Sequence, residues 1–134
     1  MKWIWLGIVL QYAGLIWDEI YHQTRVIVVE YIPIPHWPIV AAPFVIVIMT
    51  YKYLRSEQPQ VKVLTILLLV ASLIMLTGTV WDNFGYHIRG IELPEDAPPH
   101  VTLQLGSYLT LLLLIASTIT NTIKKRRVKR DVSA

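Results

Sequence analysis

The sequence predicts an all-α integral membrane protein: a four-transmembrane-helix bundle made of two parallel helix-loop-helix repeats. Three observations carry this expectation. The 134-residue chain is 54% hydrophobic, with a mean hydropathy of +0.51. Its apolar residues fall in blocks, 3–17, 36–50, 63–81 and 101–123, that contain no Lys, Arg, Asp or Glu. A set of polar residues in the first half then recurs in the second at an offset of 64.

With flanking residues the spans lie near 3–22, 36–54, 62–86 and 100–123, each near the ~20 apolar residues that cross a bilayer. The first follows a lone Lys2 and ends in Trp17-Asp18-Glu19 with no A-x-A-like site after it. It is therefore expected to be retained rather than cleaved as a signal peptide. Pro38 and Pro43 interrupt the second, which membrane helices tolerate because neighbouring groups take up the freed backbone. The third is uninterrupted, and the fourth opens on Pro98-Pro99-His100 and runs into the tail "KKRRVKR". The whole is one membrane domain, 1–134, with repeat one at 1–54, repeat two at 62–123 and a basic tail at 124–134.

Ten of the twelve basic residues are Lys2, Lys52, Arg55, Lys62 and the six in the tail. Four spans put these three places on one side of the membrane, and the positive-inside rule makes that side cytoplasmic, with both termini. Asp18, Glu19, Glu30, Asp82, Glu92, Glu95 and Asp96 collect at the other ends. So distributed, a pI near 9.3 points to a topology anchor rather than to nucleic acid, with anionic lipid or a partner as the basic tail's other candidate ligand. The expected partners are the lipid bilayer and further copies or other membrane subunits. The chain has no cysteine, hence no disulfide, thiolate ligand or Cys nucleophile.

At the offset of 64, Gly14 meets Gly78, Trp17 meets Trp81, Asp18 meets Asp82, Pro35 meets Pro99 and His36 meets His100. Tyr21-His22 matches Tyr86-His87 one residue out of step. The apolar bodies align poorly, so the likeness sits where lipid solubility does not demand it. Each unit carries W-D-x(3 or 4)-H, a loop, and then P-H opening the returning helix. Asp18 and His22, four apart, share a helix face. Asp82 and His87, five apart, converge only if a π-bulge or a helix end falls beside Gly85. A pseudo-two-fold axis along the membrane normal would bring the two motifs together.

A carboxylate and two imidazoles from adjacent helix ends make a first-row metal site with room for water or substrate. Asp18, His22 and His36 are the expected ligands in one unit, and Asp82, His87 and His100 in the other. They form two mononuclear sites or one dinuclear centre. Zinc, copper and iron all suit such donors, and Met1, Met49 and Met75 are too remote for a soft thioether site. Three alternatives stand beside this reading. Asp and His are also ordinary polar residues at a membrane interface, where Trp17, Trp81, Tyr21 and Tyr86 fit an aromatic belt. Four histidines could serve haem. Asp18, Glu19 and Asp82 could begin a proton or ion path continued in part by Gln11, Thr77 and Gln104. Glu19 has Asn83 as its counterpart, and is expected as a supporting or surface group. Arg25 and Arg89 are expected to form surface salt bridges, or else to orient Asp carboxylates or the acidic loops. Loops 23–35 and 88–99 are candidate lids, and the apolar stretch 26–29 suits the membrane surface or the bundle mouth.

The order "WDEIYH…PH", Asp-x3-His with a second His about a dozen residues later across a turn-back, resembles a known motif. It is similar to the metal-binding motif of the membrane C subunit of the particulate methane and ammonia monooxygenases. The resemblance covers perhaps 20 residues per unit, and that subunit is longer and carries one such motif. It implies copper among membrane helices of an oxygenase complex, held by Asp18, His22 and His36 and, through the repeat, by Asp82, His87 and His100. The function expected is thus metal binding at an outward-facing Asp/His/His site. Its chemistry would be an oxidation of a small or lipophilic substrate admitted laterally, with O2 or water activated there. The other expectation is a non-catalytic accessory or structural subunit of a larger membrane complex.

Overall fold

A computed structural model describes residues 1–24, 33–56 and 62–133 of the chain. Among these residues four α-helices follow one another, α1 Lys2–Thr24, α2 His36–Arg55, α3 Lys62–Gly85 and α4 Pro98–Ser133, with a 3₁₀ turn at His87–Arg89 before α4. Among the described residues there is no strand. Three helical stretches, His36–Arg55, Lys62–Arg89 and Pro98–Val128, are long and apolar enough to cross a membrane. The fourth expected span, α1, is long enough at 23 residues but falls short in apolarity. Gln11, Tyr12, Asp18, Glu19 and three tryptophans dilute its aliphatic residues.

The two prolines expected to weaken α2 leave it continuous. Pro38 lies in the first helical turn, where backbone N–H groups have no partner within the helix. Pro43 lies inside the helix and is buried. At the head of α4, Pro98 and Pro99 take the same tolerated positions. Beyond residue 123, α4 does not stop. The basic tail continues it to Ser133, because Lys and Arg are good helix formers and no Gly or Pro interrupts them. At 36 residues the helix is about 54 Å long.

Helices α1 and α2 pack together, as do α3 and α4, and α2 lies against α3. The apolar core draws Ile4 and Ile8 from α1, Ile39 and Ile46 from α2, Leu68 and Met75 from α3, and Leu103 and Leu114 from α4. Glycines set the closest approaches. Gly14 faces Pro38 and Ile39, Gly78 faces the backbone of Thr102 and Leu103, and Gly106 faces that of Met75. Small residues at helix contacts are what membrane bundles use where lipid is as apolar as Leu. Three buried hydroxyls bond back to their own helices: Ser72 donates to Leu68 O at 2.7 Å, Thr79 to Met75 O at 3.0 Å and Ser107 to Leu103 O at 2.8 Å.

Large apolar side chains also cover the outside, among them Leu6, Val9, Ile48, Val70, Leu112 and Ile119. Such a continuous apolar surface suits lipid rather than water. At one end Trp5 Nε1 donates to Thr118 Oγ1 at 3.2 Å, and Asn121 Nδ2 to the Tyr53 hydroxyl at 3.1 Å. Partial burial, then Lys125 and Lys2, hold the pKa of the Met1 amine below its ordinary value. The N-terminus, the end of α2 and the basic part of α4 therefore share one end of the bundle. The Asp/His residues lie at the other.

Candidate metal centre

Helix geometry brings the first trio together. Asp18 and His22 are one turn apart near the end of α1, and His22 Nε2 lies 3.5 Å from Asp18 Oδ1. His36, the first residue of α2, brings its Nε2 to 2.9 Å from the same oxygen. Pro33 O receives the His36 backbone N–H at 2.9 Å, which fixes the turn that delivers the ring.

The second trio meets a helix end, one of the two irregularities that its five-residue spacing allowed. α3 ends at Gly85, Tyr86 leaves helical geometry, and His87 opens the 3₁₀ turn. Gly90 closes that turn at φ 70°, where its N–H bonds His87 O at 2.8 Å. A residue with a Cβ would be strained there. The result puts His87 Nε2 at 3.4 Å from Asp82 Oδ2, while His100 Nε2 lies 3.0 Å from Asp82 Oδ1. All six expected ligand residues are thus at one end of the bundle. Contacts in the first half recur in the second at the same offset: Gly14 with Ile39 and Gly78 with Leu103, Asp18 with His36 and Asp82 with His100.

The two trios are not separate. The His36 ring stands edge-on to His87 with centroids 4.5 Å apart. Ligand atoms of Asp18, His22 and His36, and equally of His36, Asp82 and His87, lie within 4.8 Å of one another. Either group could hold a metal ion. Burial deepens inward: Asp82, His36 and His87 are buried, Asp18 and His100 half-buried, and His22 exposed.

Two further groups orient the histidines that open α2 and α4. Asn83, wholly buried, donates its Nδ2 to Thr79 O at 3.0 Å, so its Oδ1 is the atom facing His36 Nδ1 at 2.9 Å. His36 must then donate from Nδ1. His100 Nδ1 likewise donates to Pro94 O at 3.0 Å. In the neutral rings both Nε2 atoms carry the lone pair, and both face an aspartate oxygen. Asp18 Oδ1, His36 Nε2 and Asp82 Oδ1 are buried with no partner outside the cluster, and approaches of 2.9 and 3.0 Å suit an ion pair as well as two ligands of one cation. Donors bound at about 2.1 Å to one cation stand about 3.0 Å apart at right angles and about 3.4 Å apart in a tetrahedron. The four Asp–His separations, 2.9, 3.0, 3.4 and 3.5 Å, fall on those values.

The other residues singled out in the sequence take lesser places. Glu19 is exposed and accepts a 2.6 Å bond from Gln23. Arg89 is exposed, and no ion pair joins it to Asp82 among the described residues. Arg25 and Val26–Val29 lie outside the described residues. Trp17 and Trp81 are exposed outward, as belt residues would be. Thr77 is exposed and bonds its own helix at Leu73 O, away from any path, while Gln11 is buried in the bundle.

Beside the Asp/His cluster a cavity of about 650 Å³ opens between α1 and α4, whose upper halves stand apart. Tyr12 and Tyr108, with ring centroids 6.5 Å apart, mark its lower limit. Sequence reasoning missed Asn83 as a support and these tyrosines as a floor. Only the position of Asn83, beside Asp82 and four residues after Thr79, hinted at its role.

Comparison with protein-family models, with curated proteins and with solved structures finds no match for this chain.

Proposed function

We propose that the protein is a membrane metalloprotein whose two halves are repeats that together build one metal centre. In this reading all four helices cross the bilayer, α1 with its polar end at the site, and the basic end is cytoplasmic. Asp18, His22 and His36 are ligands from one half, and Asp82, His87 and His100 from the other. One observation carries the reading. His36 and His100 each give away Nδ1–H to a fixed oxygen and turn Nε2 toward an aspartate at ligand-to-ligand spacing. Metal-binding histidines are held in this way almost without exception.

The competing reading is an interfacial Asp–His ion pair, in which Nε2–H donates to the aspartate while Asn83 accepts from Nδ1–H of His36; metal content is what separates the two. Oxygen and imidazole donors without thiolate suit Cu(II), Zn(II) or Fe(II), and the resemblance to the monooxygenase motif favours copper. The bound ion would supply Lewis-acid or redox chemistry, and with copper or iron an oxidation is the chemistry favoured.

The test is elemental analysis of protein purified in mild detergent without a His-tag, beside the His22→Ala/His87→Ala, His36→Ala, His100→Ala and Glu95→Ala variants. One or two equivalents of metal in the parent and in Glu95→Ala, lost or lowered in the histidine variants, is the expected result. The same metal content in all of them would sink the ligand assignment. Substrate-dependent O2 uptake by the isolated chain would then mark an enzyme. Metal without turnover, with other subunits co-purifying, would mark an accessory role.

A further inference from the structure

The cavity beside the site has a divided lining. Its head is the cluster itself, with Asp18, His36, Asp82 and His100 facing it, and Glu19, Glu92 and Glu95 at the rim. Its body is apolar, built by Leu15 and Ile16 of α1, Ile39 of α2 and Leu103 of α4. The floor is the Tyr12–Tyr108 pair. About six residues, or about 9 Å of helix rise, separate Tyr12 at the floor from Asp18 at the head.

The side of this cavity is the seam between α1 and α4. Below it the seam is closed, with Trp5 bonded to Thr118. Beside it Ile16, Ile20 and Tyr108 line the cavity and are nonetheless about half exposed, as is the neighbouring Leu105, so the cavity opens at the seam. In a bilayer those residues face acyl chains, so the cavity meets lipid on its flank and the acidic rim at its top. A solute entering from the flank must be soluble in lipid, and one that fills the cavity must present a polar group to the Asp/His end. The volume far exceeds what O2, methane or ammonia occupies and falls within the roughly 300–1,000 Å³ of pockets for drug-sized ligands.

We propose that this cavity binds a single-headed lipophilic molecule, of the class of long-chain alcohols and phenols, which enters from the bilayer between α1 and α4 and places its hydroxyl at the Asp/His cluster. The proposal rests on the functional reading above for what the head meets, and its test does not need a bound metal.

The experiment uses the full chain in phosphatidylcholine nanodiscs and a dodecanol carrying a mid-chain diazirine, photolysed with and without excess plain dodecanol. Adducts are mapped by mass spectrometry, and metal is measured on the same samples. Labelling that excess dodecanol abolishes is expected in the 12–20 segment of α1 and the 103–108 segment of α4. Lipid-facing helix surfaces elsewhere should label without saturation.

Ile16→Trp and Gln104→Trp place an indole in the seam at exposed positions where folding tolerates bulk. Each should weaken the saturable labelling about tenfold, which is what two lost methylene contacts are worth. Val9→Trp, exposed on α1 but away from the cavity, should leave it unchanged. Metal content should be the same in all three. The absence of saturable labelling overturns the proposal, as does its persistence in both seam variants. Saturable labelling in protein that holds no metal would keep the cavity and discard the metal reading, and metal without saturable labelling would do the reverse.

Discussion

Substituting Gly78 by Ala tests whether the α3–α4 contact holds the site together. A methyl group there would stand 2.7 Å from Leu103 Cα and 2.9 Å from the carbonyl carbon of Thr102, both of them backbone. No side-chain rotation relieves this. Reaching ordinary contact at 3.4 Å from the Leu103 Cα requires the helices to part by 3.4 less 2.7, at least 0.7 Å. Gly78 is one turn below Asp82, and Leu103 about one turn below His100, so the separation is felt at the pair they carry. Their Asp82 Oδ1–His100 Nε2 distance would open from 3.0 Å to about 3.7 Å, beyond the ~0.2 Å tolerance of a metal–ligand bond.

Overpacking of this kind costs about 1–3 kcal/mol in a well-packed core. Metal affinity should fall by about 10–100-fold, as when an outer support of a metal ligand is lost. The assay pairs thermal unfolding in detergent with metal titration of the chelator-stripped protein. Gly85→Ala is the tolerated control, because its methyl meets only the Trp81 side chain, at 3.3 Å. An unchanged melting temperature in Gly78→Ala would refute the close approach. Lost stability with unaltered metal affinity would refute the coupling between that approach and the site.

Two further outcomes follow from single contacts. Asn83→Leu keeps the side-chain volume but gives His36 Nδ1 no acceptor, so metal affinity should drop about 10–100-fold while the chain still folds; titration of the stripped protein with metal reads the change. Trp5→Phe removes the one bond from Trp5 Nε1 to Thr118 at the basic end, and should cost about 0.6 kcal/mol, the average for hydrogen bonds between membrane helices. Thermal unfolding checks this, and metal content at the opposite end should not move.

How much of this was legible in the sequence depended on whether a contact lay within one unit. The i, i+4 spacing of Asp18 and His22 fixes a shared face in any α-helix, and P-H at a helix start places His36 and His100 at the same end. The odd spacing of Asp82 and His87 called for a π-bulge or a helix end beside Gly85, and α3 ends at that residue. What spacing does not encode is how one unit lies against the other. The edge-on meeting of His36 with His87, and the bond between His36 and Asn83, join residues 51 and 47 positions apart and arise only when α2 packs on α3. The separation of α1 from α4, and hence the cavity, is likewise a property of packing. The helical tail was hidden for a different reason: its charges read as topology, while their helix propensity carries α4 onward.

His36 also decides how the six proposed ligands could be divided. Its Nδ1 is committed to Asn83, so it has one nitrogen for a metal, and the two groups that contain it cannot both use it. Two ions are then possible only if His36 stays with Asp18 and His22 while His100 completes Asp82 and His87. Asp82 already allows this, because His100 approaches its Oδ1 and His87 its Oδ2. Asp18 differs, since both His22 and His36 approach the single oxygen Oδ1. The two halves therefore offer the same residues in different geometry, one more buried and the other more open. If the proposed centre holds metal, an ion entering from the exposed His22 side would meet the open trio first, and His36 would be the group joining it to the buried one.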